Sequence, residues 1–149
     1  MSRKHFTEVY QFKVSLNGLE PEIWRRIQVP ANYSFWDLHV AIQDVMGWLD
    51  YHLHVFQIPG PVPGKLVQVG IPDEDYGEEI LPGWEVAISE NFTRENNQAG
   101  YEYDFGDGWE HAIMLEEILP RGESFELEFS SHFPDYGMYL TKERRWIIT

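Results

Sequence analysis

Tyr10, Phe12, Val14 and Leu16 alternate with polar residues, a period of two that predicts a half-buried strand, and Asn17-Gly18 behind it predicts a turn. A second strand is expected from Glu22 to Val29. Ile23, Ile27 and Val29 share one of its faces and Trp24 and Arg26 the other, close enough for a cation–π contact, before Pro30 ends it. The period then becomes helical. Leu38, Ala41, Ile42, Val45 and Met46 form an apolar stripe, Ser34 with Asp37 makes a capping box, and Gly47 suits a left-handed C-terminal cap. These signals predict a helix over Phe35 to Met46.

Beyond Trp48, the β-branched and aromatic run His52 to Ile58 reads as a strand ending at Pro59, and Lys65 to Val69 as another. The Pro/Gly-rich stretch between them is a rigid loop, too short to separate domains. Asp73 to Pro82 is acidic and irregular, Val86 to Ile88 is short and extended, and Ser89 caps a single helical turn through Phe92. Tyr101, Tyr103 and Phe105 alternate with Glu102 and Asp104, Gly106-Asp107-Gly108 follows, and Trp109, His111, Ile113 and Leu115 resume the alternation, which is a hairpin signal. The predicted fold is α+β: a single domain over residues 1–149, with a mixed sheet covered by one main helix in the order β-β-α-β-β. A helix joining the second and third strands as a right-handed crossover would set them parallel, in a β-grasp-like arrangement.

Charge adds a functional constraint. The chain has 149 residues, 25 Asp and Glu against 11 Lys and Arg, and a formal charge of −14. Residues 71 to 117 hold fourteen of the acids and one base, Arg94. Such a field attracts cations and basic peptides and repels phosphate backbones, which argues against nucleic acid as a partner. With no cysteine, disulfides, thiolate metal sites and thiol nucleophiles are excluded. No apolar run approaches the roughly 18 residues of a membrane span, and the polar start Met1 to His5 is unlike a secretory leader, so a cytoplasmic protein without membrane contact is expected.

His52 and His54, two apart in a predicted strand, would project from one face with Cα atoms roughly 6.5 Å apart, half of a metal site. His111 is the candidate third ligand for zinc or manganese. Asp104 and Asp107 beside the hairpin turn are candidate catalytic carboxylates, although the spacing of the acids there does not match an EF-hand loop. His39 on the helix flank, with Trp48 and Trp109, forms a candidate binding surface. Phosphate-cradling glycine loops and a Gly-x-Ser-x-Gly elbow are both missing, and Arg25-Arg26 and Arg144-Arg145 are expected to balance nearby carboxylates.

Tyr10 to Val14 with Pro21 to Arg26, Leu38 to Gln43, Gly47-Trp48 with His52 to Phe56, and Tyr101 to His111 together resemble the plasmid pRiA4b ORF-3-like family over residues 8 to 119. The resemblance implies an α+β fold and places His39, His52, His54, Asp104, Asp107 and His111 at family motif positions. Its members occur on plasmids and chromosomes, sometimes as passengers of insertion elements, and have no settled biochemical function. A departure begins near residue 120: many members continue into a Cys-containing tail with Gly-Gly, whereas here Phe133 to Gly137 is at most a remnant and the sequence ends Arg144 to Thr149.

Two functions follow as expectations. The first is a non-enzymatic binding or adaptor module, linked to mobile elements, whose acidic aromatic surface takes a basic protein partner. The alternative is a metal-dependent hydrolase, acting on a phosphoester, with His52, His54 and His111 as ligands and Asp104 or Asp107 as ligand or general base. Sequence specifies no oligomeric state.

Overall fold

A computed structural model describes residues 6–20, 22–77 and 79–121, with the backbone of three short strands beyond them. The strands β1 (Glu8–Leu16) and β2 (Ile23–Pro30) form an antiparallel hairpin in which Phe12 pairs with Ile27. Helix α1 (Phe35–Met46) has the bounds its caps dictate. Ser34 Oγ accepts from the Asp37 N–H at 3.2 Å, Asp37 Oδ2 accepts from the Ser34 N–H at 3.0 Å, and Gly47 at φ 78° closes the other end. There follow β3 (His54–Pro59), β4 (Leu66–Gly70), the two-residue β5 (Leu81–Pro82), the single turn α2 (Ile88–Asn91), β6 (Gln98–Tyr103) and β7 (Trp109–Pro120). Ala87, and not Ser89, precedes α2 as its cap.

The strands make one mixed sheet in the order β5-β4-β3-β6-β7-β1-β2. β2 continues through parallel pairing into β10 (Trp146–Ile148), then β9 (Met138–Leu140) and β8 (Glu128–Phe129). Phe133 to Gly137 and Arg144-Arg145 lie outside the described residues. The architecture is α+β, but its strand order differs from the expected crossover. β2 and β3 do run in the same direction, yet β1, β7 and β6 lie between them. The reason is that α1 traverses the sheet. At its start the Trp36 amide lies beside Gly83 near the β4–β5 edge, and at its end the Val45 carbonyl accepts from Arg25 Nε of β2 at 3.1 Å. A helix lying across the strands returns the chain to the far side of the sheet, not to the neighbouring position.

The face under α1 is the core. Phe12, Val14, Ile27, Val29, Phe56, Ile58, Tyr101 and Ile113 close on Phe35, Leu38 and Ile42, with Phe12, Phe35 and Phe56 in edge contacts with other rings. On the opposite face a bulge in β7 lets Glu116 meet Arg26 in a two-pronged pair, at 2.7 and 2.9 Å, while the Arg26 guanidinium lies 4.9 Å from the Trp24 ring.

Candidate functional site

His39 and Gln43 are one helical turn apart on α1, so both side chains descend onto β3 and β6 at the same place. Tyr101, in β6, rises to meet them. Gln43 Nε2 donates to the Tyr101 hydroxyl at 2.9 Å, and that hydroxyl lies 2.7 Å from His39 Nδ1. His39 Nε2 lies 2.9 Å from Asp50 Oδ1, and the Asp50 N–H donates to Gln43 Oε1 at 2.9 Å, closing a ring of four residues. With Asp50 ionised, the network assigns the protons: Tyr101 donates to His39 Nδ1 and His39 Nε2–H donates to the carboxylate. Asp50 occupies this position at φ 57°, a left-handed backbone that aspartate tolerates better than most residues.

Beneath His39 lies His54. The two imidazoles are parallel, centroids 3.5 Å apart and planes 9° apart, and Trp36, Phe56 and Tyr101 complete the shell at 5.9 to 6.0 Å from His54. His54 is 1% exposed, and neither ring nitrogen finds a hydrogen-bond partner among the described residues. Burial therefore pushes its pKa down to about 3, with His39 adding to the shift and Asp50 opposing it. Burial alone takes His39 down to about 4. The phenol of Tyr101 is displaced upward by burial, and desolvation also raises Asp50. Both imidazoles are neutral near neutral pH, and the cluster is a polar island in an apolar core.

The loop joining α1 to β3 covers this island. Trp48, Asp50 and His54 turn toward the protein, with His52 at the surface between them. Trp48 Nε1 donates to His111 Nε2 at 3.3 Å, Asp50 meets His39, His52 Nε2 lies 3.5 Å from Asp104 Oδ2, and His54 stacks on His39. The alternate residues point away: Leu49 is 71% exposed, Tyr51 79%, and Leu53 is also exposed. The backbone is nonetheless tied down, with the Asp50 N–H on Gln43, the Tyr51 N–H on the Tyr103 hydroxyl at 2.8 Å, and the Leu53 carbonyl accepting from the Asp104 N–H at 2.9 Å.

Several expected site residues therefore stand elsewhere. His52 precedes β3 and is exposed: the left-handed backbone at Asp50, and at Asp104 opposite Leu53, leaves His54–Tyr103 as the first regular pair. His111 is buried with both nitrogens engaged, accepting from Trp48 and donating Nδ1–H to the Tyr101 carbonyl at 3.2 Å. The structure thus does not bring His52, His54 and His111 together, and among the described residues no three His, Asp or Glu side chains are placed to hold a metal ion. Asp104, at φ 62°, and exposed Asp107 shape the hairpin turn, where the Gly108 N–H bonds the Asp104 carbonyl at 2.6 Å. His39, expected on a binding surface, is fully buried, while Trp48 lies against Trp109 with centroids 5.5 Å apart and planes tilted by 36°, and both stay half-buried. Sequence reading missed Asp50, Gln43 and Tyr101, whose convergence depends on α1 crossing β6. It also missed exposed Leu49 and Tyr51, which sit in a stretch without clear periodicity.

Among the described residues no helix is long and apolar enough to cross a membrane. A family model described as plasmid pRiA4b ORF-3-like protein matches residues 8–131. A protein from Sinorhizobium fredii (strain NBRC 101917 / NGR234), named uncharacterized protein y4hQ, is 34% identical over 113 residues, covering 75% of this chain. The chain spans about half the length of that curated relative, 55%. A crystal structure of a protein of unknown function, MM3350 from Methanosarcina mazei Go1, is similar at a TM-score of 0.75 and 48% identity, over 85% of this chain and 69% of that one.

Proposed function

The chain belongs to the plasmid pRiA4b ORF-3-like family, and from that footing we propose that it is a non-enzymatic binding module whose acidic, aromatic surface docks a basic protein segment. The observation that carries this reading is the loop between α1 and β3. Its backbone is held at Asp50, Tyr51 and Leu53 while Leu49 and Tyr51 stand in solvent. Exposed apolar side chains on a restrained backbone lose little conformational entropy on association, which favours binding.

The charge supports a basic occupant. His54 pairs with Tyr103 and Val55 with Gly70, so residues 71–80 and 104–108 leave the sheet at the same end as this loop. They bring Asp73, Glu74, Glu79, Asp104 and Asp107, several of them lining an open cleft with Pro72 and Ile80. The metal-dependent hydrolase draws less support, because His111 commits both ring nitrogens and His54 lies stacked in the core.

The test is a comparison of two amphipathic peptides of equal apolar content, one bearing arginine and lysine and one glutamate, at about 50 and about 300 mM salt. The basic peptide should bind at low salt, weaken as salt rises, and lose affinity for the L49S/Y51S variant. Equal binding of both peptides, or binding of neither, overturns the reading.

A further inference from the structure

Trp36, in the first turn of α1, borders His39 with ring centroids 5.2 Å apart. Trp84, 54% exposed, stands edge-on against Trp36 at 6.4 Å, with the two indole planes 77° apart. Gly83 eases that approach: a Cβ at this position would lie 3.3 Å from the Trp36 amide nitrogen, a tight contact that would press the segment a few tenths of an ångström away from the helix. Asp50 also borders His39. One carboxylate oxygen meets the imidazole at 2.9 Å, while Oδ2 has no partner among the described residues and the side chain stays 40% exposed. The intervening histidine cannot shift readily, being bonded to Tyr101 and stacked on His54. Two aromatic walls at a steep angle and a half-exposed carboxylate are therefore held in fixed relation by one buried ring.

Taking the basic-partner reading above as its basis, we infer that this corner is the anchor for an arginine side chain of the partner. Its stem and guanidinium plane lie along Trp36 and Trp84, and its N–H groups reach Asp50 Oδ2. Arginine fits better than lysine because a planar, weakly hydrated guanidinium stacks on indole and hydrogen-bonds a carboxylate at once, whereas an ammonium is a compact, strongly hydrated charge. Exposed Glu85, next to Trp84, deepens the negative field without prescribing geometry.

The experiment uses the whole chain and three labelled probes: hexa-arginine, hexa-lysine and hexa-citrulline, the last keeping the planar head without its charge. Binding is read by fluorescence anisotropy for the wild type, W84A, D50N and the remote control E90Q. Asn at position 50 tolerates the left-handed backbone and still offers His39 an oxygen acceptor, and Trp84 is exposed, so both variants should fold; unchanged thermal melting checks this. Expected are an arginine preference over lysine of about fivefold or more, negligible citrulline binding, and collapse of the preference toward unity in W84A and in D50N but not in E90Q. Equal binding of hexa-arginine and hexa-lysine to the wild type overturns the anchor while leaving a basic partner standing, as does a preference that survives both W84A and D50N. If neither cationic probe binds at low salt, the anchor and the basic-partner reading fall together.

Discussion

Replacing His54 by phenylalanine removes two ring nitrogens that have no hydrogen-bond partner among the described residues, in a site walled by Trp36, Phe56, Tyr101 and the face of His39. A buried polar group without a partner costs about 1–3 kcal/mol. Fitting the larger six-membered ring gives back about 1 kcal/mol in crowding. At pH 7.5 the variant should therefore be more stable than the wild type by about 1 kcal/mol.

The pH dependence is the sharper part. The His54 pKa falls from 6.5 in the open chain to about 3 in the fold, so between those values the unfolded chain binds a proton that the native state refuses. Native stability is fully present above pH 6.5 and declines as pH falls, by about 1 kcal/mol per unit for this one group. At pH 5 the variant's advantage should have widened by about 2 kcal/mol. Asp44, whose pKa burial raises to about 6, works in the opposite direction, but it is common to both proteins and cancels in the difference. Urea denaturation at pH 7.5 and pH 5, with equal m-values, measures both quantities. A difference that does not change with pH would refute the reasoning, since it would mean that His54 takes up protons as readily folded as unfolded.

Asp50→Ala should lose about 2–3 kcal/mol, combining the lost bond to His39 with the cost of alanine at φ 57°, whereas Asp50→Asn should stay within about 1 kcal/mol, both read from thermal melting. Gly70→Ala should destabilise by about 3 kcal/mol or more, because its Cβ would lie 2.6 Å from the His54 carbonyl oxygen and force β3 and β4 apart; a wild-type denaturation midpoint would contradict the packing described. Ser34→Ala removes the side-chain acceptor of the capping box and should cost about 1 kcal/mol, while Ser34→Thr, whose hydroxyl still accepts from the Asp37 N–H and donates to its carboxylate, should retain most of it; equal losses in the two variants would contradict the cap described.

The bounds of α1 and the existence of β1, β2 and the β6–β7 hairpin were legible in the amino-acid sequence, because each is encoded by neighbours. Ser34 and Gly47 act within a turn of the helix, and the alternation from Tyr10 to Leu16 exists only because one sheet face is buried. The acidic block from residue 71 to 117 was likewise plain, since charge is a property of composition. His52 and His54 show where local reasoning stops. Their spacing is that of one strand face, but left-handed backbone at Asp50, and at Asp104 opposite Leu53, starts the regular strand only at His54.

Tertiary structure alone decided which residues meet. α1 crosses the strands, which separates β2 from β3 by three positions and lays His39 on His54 and Gln43 on Tyr101. Periodicity states that a face is buried and is silent about what buries it. The angle of a helix on a sheet is a property of the assembled surface, set by the fit of many side chains at once, and no window of neighbouring residues contains it.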